Sequence, residues 1–211
     1  MTRIFFATVL LASLCVARAS AGTLSDFADA WKAVNDYSCS IVDHEVLGSQ
    51  VQDRRYDYWF KKPSLAKIEI VSGPGKGSGS VWHGGDTVVG HQGGFMHFVH
   101  MTVSIHDPRA VSLRGDTIAD ASFGSILAMY QSGKGTVTEA AGEPVDGTPT
   151  DMLVMKITDP ASDKGVTRDV LYLSKSTHLP VRRVRYAGDA IVKQEDFVNV
   201  KINPGLKDSD F

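Results

Sequence analysis

The chain has 211 residues, 43% of them hydrophobic and 22% charged, with a formal net charge of −2. So mild an acidity argues against nucleic acid as a partner and against electrostatic capture by an anionic membrane. The first element read along the chain is a targeting segment. Arg3 supplies a positive start, residues 4–16 are almost wholly apolar, and Ala19-Ser20-Ala21 is an A-x-A cleavage site. The apolar run is shorter than the roughly 20 residues a spanning helix needs. Cys15 follows Leu14, where a lipid-anchoring signal wants glycine or alanine. Residues 1–21 are therefore expected to be a signal peptide, cut near Ala21, that delivers an unlipidated protein to the periplasm. Cleavage removes Arg3 and Arg18 and no acid, taking the formal charge from −2 to −4. Cys39 is then the only cysteine, so no intrachain disulfide is available. A chain of about 190 residues does not need one, because a core of that size already buries most of its surface. Cys39 is expected to be an inert residue buried on a strand.

Residues 22–211 are expected to form one domain, since no repeat, low-complexity tract or Pro/Ser-rich linker interrupts them. Leu24, Phe27, Ala28, Trp31 and Val34 recur at helical spacing, with Thr23 and Asp26 placed as a cap. Strands are then predicted over 38–46, 51–61, 65–72, 79–83, 86–91 and 95–105. A second helix follows, with Asp120 as its N-cap, a stripe of Phe123, Ile126, Leu127 and Tyr130, and Gly133 at its end. Strands resume over 135–139, 151–158, 166–174, 180–187 and 190–202. Short local connections imply an antiparallel sheet. About eleven strands should curl into a barrel or half-barrel, with the helices covering its concave face.

Strand alternation then sorts the side chains. Tyr56, Tyr58 and Phe60 share one face, opposite Arg55 and Asp57. Ala66, Ile68 and Ile70 oppose Lys67 and Glu69; Val192, Val198, Val200 and Ile202 oppose Lys193, Glu195 and Lys201. Arg183 and Arg185 share a face that reads as a solvated strand surface, with a docking patch as the lesser alternative. The amount of apolar surface favours a ligand cavity. Its candidate lining is Tyr56, Tyr58, Phe60, Ile68, Ile70 and Trp82 from the strands, with Ile126 and Tyr130 from the second helix.

Motifs for catalysis are weak. His83, His91, His97, His100 and His106 crowd one stretch, but His97 and His100 fall on opposite faces of a strand. His83 and His91 meet at best across a hairpin near Asp86, without a third ligand at metal spacing. The 73–79 segment, GPGKGSG, fits neither a P-loop nor a dinucleotide fingerprint, and no G-x-S-x-G elbow occurs. No catalytic residue, metal or cofactor is expected, and the protein is read as a non-enzyme.

One stretch carries a family likeness. A strand ending in Phe60-Lys61-Lys62-Pro63 runs into a second from Leu65; a third carries Trp82, and Val88-Val89 follows Gly84-Gly85-Asp86. Near the C-terminus Leu179-Pro180 opens a strand, and Val198 to Pro204 precedes the final Phe211. This pattern resembles the LolA-like superfamily of envelope lipoprotein carriers. Lys67 stands where that family usually has arginine, and Lys61, Pro63 and Lys67 would form its corner and lid contact. The resemblance implies a half-barrel that carries lipoprotein or lipid acyl chains across the periplasm to the outer membrane. It also implies an inner-membrane extraction complex and an outer-membrane acceptor as partners, and a monomer is expected. Burial of a methylene contributes about 0.8 kcal/mol, so two or three chains would need such shielding. The polar stretch 37–45 and the His/Gly-rich stretch 83–100 depart from the family and leave room for another lipid cargo. The alternatives are a lipid-sensing or regulatory module of the same fold and, less favoured, a small hydrolase.

Overall fold

The computed structural model describes residues 22–211, except His97 and the side chain of Met96. The signal peptide expected over 1–21 lies outside the described residues. Two α-helices are present among them, α1 (Thr23–Lys32) and α2 (Phe123–Gln131). The first group of strands comprises β1 (Asp36–Leu47), β2 (Gln50–Lys61), β3 (Leu65–Ser72), β4 (Gly79–Trp82), β5 (Thr87–His91) and β6 (His100–Ser104). The second comprises β7 (Gly135–Val145), β8 (Thr148–Ile157), β9 (Arg168–Ser174), β10 (Pro180–Ala187) and β11 (Ala190–Ile202).

These strands pair antiparallel in the order β6-β5-β4-β3-β2-β1-β11-β10-β9-β8-β7. Each group is a meander, and the two join where β1 pairs with β11. The outermost strands, β6 and β7, do not meet, so the sheet is curled but open. Local turn chemistry sets this order: Asp146-Gly147, both at positive φ, closes the β7–β8 hairpin with the twist that two-residue turns favour.

The concave face is built from cross-strand rows. Tyr37, Phe60 and Ala66 align across β1, β2 and β3, as do Cys39, Tyr58 and Ile68, and then Ile41, Tyr56 and Ile70. Both helices press onto the aromatic end of these rows. Phe123 of α2 stacks on Tyr37 at 4.3 Å and meets Phe197 edge-on at 5.2 Å. Phe123 N–H donates to Tyr37 Oη at 3.1 Å, which satisfies an amide that the helix start leaves unpaired. α1 rests against α2 and β8, and Trp31 lies so close to Gly124 that a Cβ there would meet its ring at 2.7 Å.

The helix caps differ from the expectation. α2 begins slightly later than Asp120 suggests: Ser122 is the N-cap and accepts from Ser125 N–H, while Asp120 accepts from the amide and hydroxyl of Thr117. Thr23 does not cap α1. Its N–H and that of Leu24 donate instead to the Glu139 carboxylate on β7, at 2.8 and 3.1 Å. A cap from 116 residues away in sequence leaves no local signal.

Candidate binding cavity

Residues 105–122, between β6 and α2, cross the open concave side as a strap. Under it, against β1–β6, lies a cavity of about 570 Å³. Ile41, Tyr56, Ile68, Ile70, Val88 and Val103 form its apolar flank, and Ile118 and Ala121 of the strap close over it. Its inner end is charged, with Asp43, Asp116, Arg183, Lys193 and Glu195 in the wall.

The structure divides the sequence-derived lining set. Tyr56, Ile68 and Ile70 stand in this wall. Tyr58, Phe60, Ile126 and Tyr130 are closed off as core at the helix end, each 4% exposed or less. Tyr58 donates its hydroxyl to Ile118 O at 3.1 Å, and Tyr130 donates to Asp169 Oδ1 at 2.8 Å. Trp82 is half-buried, and its Nε1–H donates to Gly85 O at 2.9 Å. Lys61 reaches Leu206 O at 2.9 Å and Asp208 at 2.7 Å, so it fastens the C-terminal tail. Lys67 lies over the Trp59 ring, 5.5 Å from its centre. Pro63 sits in the β2–β3 turn. Its neighbour Lys62, unmarked in the sequence, donates to Trp31 O at 2.6 Å and covers the Trp31 ring at 4.3 Å. That cation at the C-terminal end of α1 suits the helix dipole.

The charged end reverses a second expectation. Arg183, Arg185, Lys193 and Glu195 do not face water; each is at least 94% buried. The parity of β11 explains part of this. Phe197 shares the concave face with Lys193 and Glu195. Because Asn199 takes φ +56° and the β1–β11 register shifts there, Val200 and Ile202 join that face while Val192 and Val198 point the other way, against the expected common face. Ion pairing explains the rest. Lys193 Nζ is surrounded by Asp116 (2.7 Å), Glu45 (2.9 Å), Glu195 (3.1 Å) and Asp43 (3.7 Å). Arg183 binds Asp169 through both Nε and Nη2, the latter at 2.7 Å, and lies 3.7 Å from Glu195. Arg185 pairs with Asp116. Burial alone would favour neutral forms, but the facing carboxylates outweigh it and hold Lys193 and Arg183 well above their ordinary values.

The same cluster bolts the strap to the sheet. Ser112 Oγ donates to Glu45 Oε1 at 2.8 Å, and Arg114 Nη1 donates to Val46 O at 2.7 Å. Asp116 feels burial, which opposes ionisation, yet Lys193 and Arg185 hold its carboxyl far below the usual range. Asp43 is the exception. Burial, with Glu195, Glu45 and Asp116 around it, pushes its carboxyl up to about 8 despite Lys193.

The histidines are dispersed. His91 faces His100 across β5–β6, with ring centres 5.6 Å apart, and its Nε2 lies 3.3 Å from Glu69. Gly79, not His83, is opposite His91 in the β4–β5 hairpin, so that hairpin does not bring the two histidines together. No group of three or more metal-binding side chains occurs among the described residues. Cys39 is buried, and burial pushes its thiol well up, towards an unreactive form.

The chain is thus an open half-barrel with helices at one end and a strapped cavity at the other. No family model matches the sequence, and no curated protein matches it significantly. Solved structures do. A conserved protein from Thermus thermophilus aligns over 89% of each chain with a TM-score of 0.57 at 9% identity. MucB, known also from a Pseudomonas aeruginosa MucA/MucB complex, aligns over 89% of this chain and 60% of its own, with a TM-score of 0.51 at 12% identity. A LolA superfamily protein from Nitrosomonas europaea aligns over 91% of this chain and 98% of its own, with a TM-score of 0.42 at 13% identity. These are likenesses of fold alone, and they match the open, curled antiparallel sheet seen here.

Proposed function

We propose that residues 22–211 form a single-domain, non-enzymatic carrier that shields the acyl chain of a lipid or lipoprotein in the periplasm, after export by the 1–21 segment. The observation that carries this reading is the cavity, apolar on the flank made by β1–β3, β5 and β6 and closed by the strap. Its volume lies within the ~300–1,000 Å³ of ordinary small-ligand sites, which suits one chain rather than two or three. No helix among the described residues is long and apolar enough to cross a membrane. Delivery to an outer-membrane acceptor from an inner-membrane complex would be the role of such a carrier in the envelope.

Mass spectrometry of an organic extract of the purified protein, with titration of a fluorescent fatty acid, tests the reading. Ile68→Glu places a charge in the apolar wall and should weaken the probe by about tenfold or more, because an unpaired buried charge costs several kcal/mol. Asp57→Asn, on the opposite face where Asp57 accepts from Ser40 at 2.8 Å, should leave binding unchanged. Equal effects of both substitutions, with circular dichroism intact, or no binding by the wild type, would remove the reading's support.

A further inference from the structure

The charged end of the cavity has an imbalance that the strap does not resolve. Five carboxyl groups, of Asp43, Glu45, Asp116, Asp169 and Glu195, gather there with four cations, of Arg114, Arg183, Arg185 and Lys193, while Arg54 and the half-exposed Asp163 add one charge of each sign beside them. Three acceptor atoms are left unpartnered there, against two guanidinium N–H groups, Arg114 Nε and Arg185 Nε. Both oxygens of Asp43 and Oε2 of Glu195 are buried without a hydrogen-bond partner. Lys193 Nζ stands 3.7 Å from Asp43 Oδ1 and Arg183 Nη1 stands 3.7 Å from Glu195 Oε2, both beyond hydrogen-bonding range; only the other Glu195 oxygen, Oε1, meets Lys193, at 3.1 Å. Asp43 and Glu195 are direct cross-strand partners, and two anions so placed repel, so either a proton on Asp43 or a cation must lie between them. Both line the cavity, and Asp43 is only 3% exposed.

Buried acceptors in native proteins are satisfied, and an exception asks for an explanation. A ligand that satisfies these must bring donors and preferably one positive charge. An alkyl primary ammonium has three N–H donors for the three unclaimed oxygens, and its charge would balance the fifth carboxylate. An anionic headgroup would add a negative charge to a site whose carboxyl groups already outnumber its buried cations. A hydroxyl would bring one donor and no charge.

On the carrier reading, we propose that the cavity selects an amphiphile with a primary-ammonium polar end, received by Asp43 and Glu195, with its chain along Ile41, Tyr56, Ile68 and Ile70. The groups facing Asp43 are Glu45 on its own strand, Lys193 and Glu195 on β11, Arg183 on β10, Tyr56 and Arg54 on β2, and Asp116 on the strap. Because Asp43 holds a proton up to about pH 8, an arriving ammonium displaces it, and binding releases a proton at pH 7.

Isothermal titration calorimetry with dodecylammonium, dodecanol and dodecanoate at pH 7, each below its aggregation threshold, tests the assignment on the purified protein and on Asp43→Asn. The ammonium should bind about tenfold or more tighter than dodecanol, as a charge-assisted hydrogen bond requires, and dodecanoate should bind weakest. Titrations in two buffers of different ionisation enthalpy should show roughly one proton released per ammonium, but none per dodecanol. Asp43→Asn, close in shape, should bring the ammonium down towards dodecanol and abolish the proton release. If ammonium and dodecanol bind alike, or the preference survives Asp43→Asn, the headgroup assignment fails while the chain cavity stands. If none of the three binds, the carrier reading falls and takes this assignment with it.

Discussion

The concave face of β1 changes character between Ile41 and Asp43. On one side Tyr37, Cys39 and Ile41 meet Phe60, Tyr58 and Tyr56 of β2, with Phe123 above. On the other, Asp43 and Glu45 meet Glu195 and Lys193 of β11. The first region is held by apolar burial, about 1.5–3 kcal/mol for each fully buried large side chain, which is non-directional and roughly additive. The second is held by a network in which each ion has already lost its hydration, so the pairs must be kept whole. One end can tolerate a change of shape but not a cavity; the other can tolerate neither a lost partner nor a gained charge. The ligand cavity spans this boundary, which gives it an apolar flank and a polar end.

Substitutions can break this contrast or sharpen it. The largest effect is expected at Lys193. Lys193→Met leaves its four carboxylates facing one another and should cost about 3–5 kcal/mol in urea unfolding; a loss below about 1 kcal/mol would mean the network is not needed. Next is Tyr37→Phe at the aromatic end. It keeps the stack but strands the buried Phe123 N–H, for a loss of about 1–3 kcal/mol. Retained stability would show that water or another group satisfies that amide.

Asp43→Asn should act in the opposite direction. With its carboxyl pushed up to about 8, the folded protein keeps a proton that the unfolded chain releases near pH 4. Its contribution is therefore full below about pH 4 and declines as pH rises to 8. The asparagine variant escapes that decline. It should match wild type near pH 4 and exceed it by about 2 kcal/mol at pH 9. A variant less stable at pH 9 would show that Asp43 is held as a needed anion. The smallest effect belongs outside both regions. Glu139→Ala removes the carboxylate that caps α1 and should lower the unfolding midpoint by the equivalent of about 0.5–1 kcal/mol.

Much of the architecture was legible because it rests on local signals. Glycine turns, period-two alternation and two apolar stripes placed eleven strands and two helices close to their observed limits. The 95–105 strand is shorter, His100–Ser104, because Gly94–Met96 forms a 3-10 turn. The strand expected over 135–139 continues to Val145, through the peripheral, exposed β7. Such a sheet-edge position tolerates Pro144, which a central strand would not.

The cavity was less legible. Alternation put Tyr56, Ile68 and Ile70 on one face with Tyr58 and Phe60, and that sharing is observed in the aligned rows. It carried no information on where the helices stop and the strap begins, and that boundary separates core from cavity wall along a single face. Charge was the more misleading signal. Arg183, Arg185, Lys193 and Glu195 read as a wet surface because a lone charge costs too much to bury. Their partners Asp43, Glu45, Asp116 and Asp169 are scattered along the chain and converge only when the sheet curls.

The sequence by itself determined the strands, the faces of β2 and β3 and the antiparallel, helix-capped half-barrel, because backbone geometry and apolar periodicity act between residues close in the chain. Tertiary structure alone decided which face-sharing residues line the cavity, that Glu139 caps α1, and that five carboxylates and four cations gather at its charged end. Electrostatic pairing depends on distance in space and on lost hydration, and neither quantity is written in the spacing of residues along the chain.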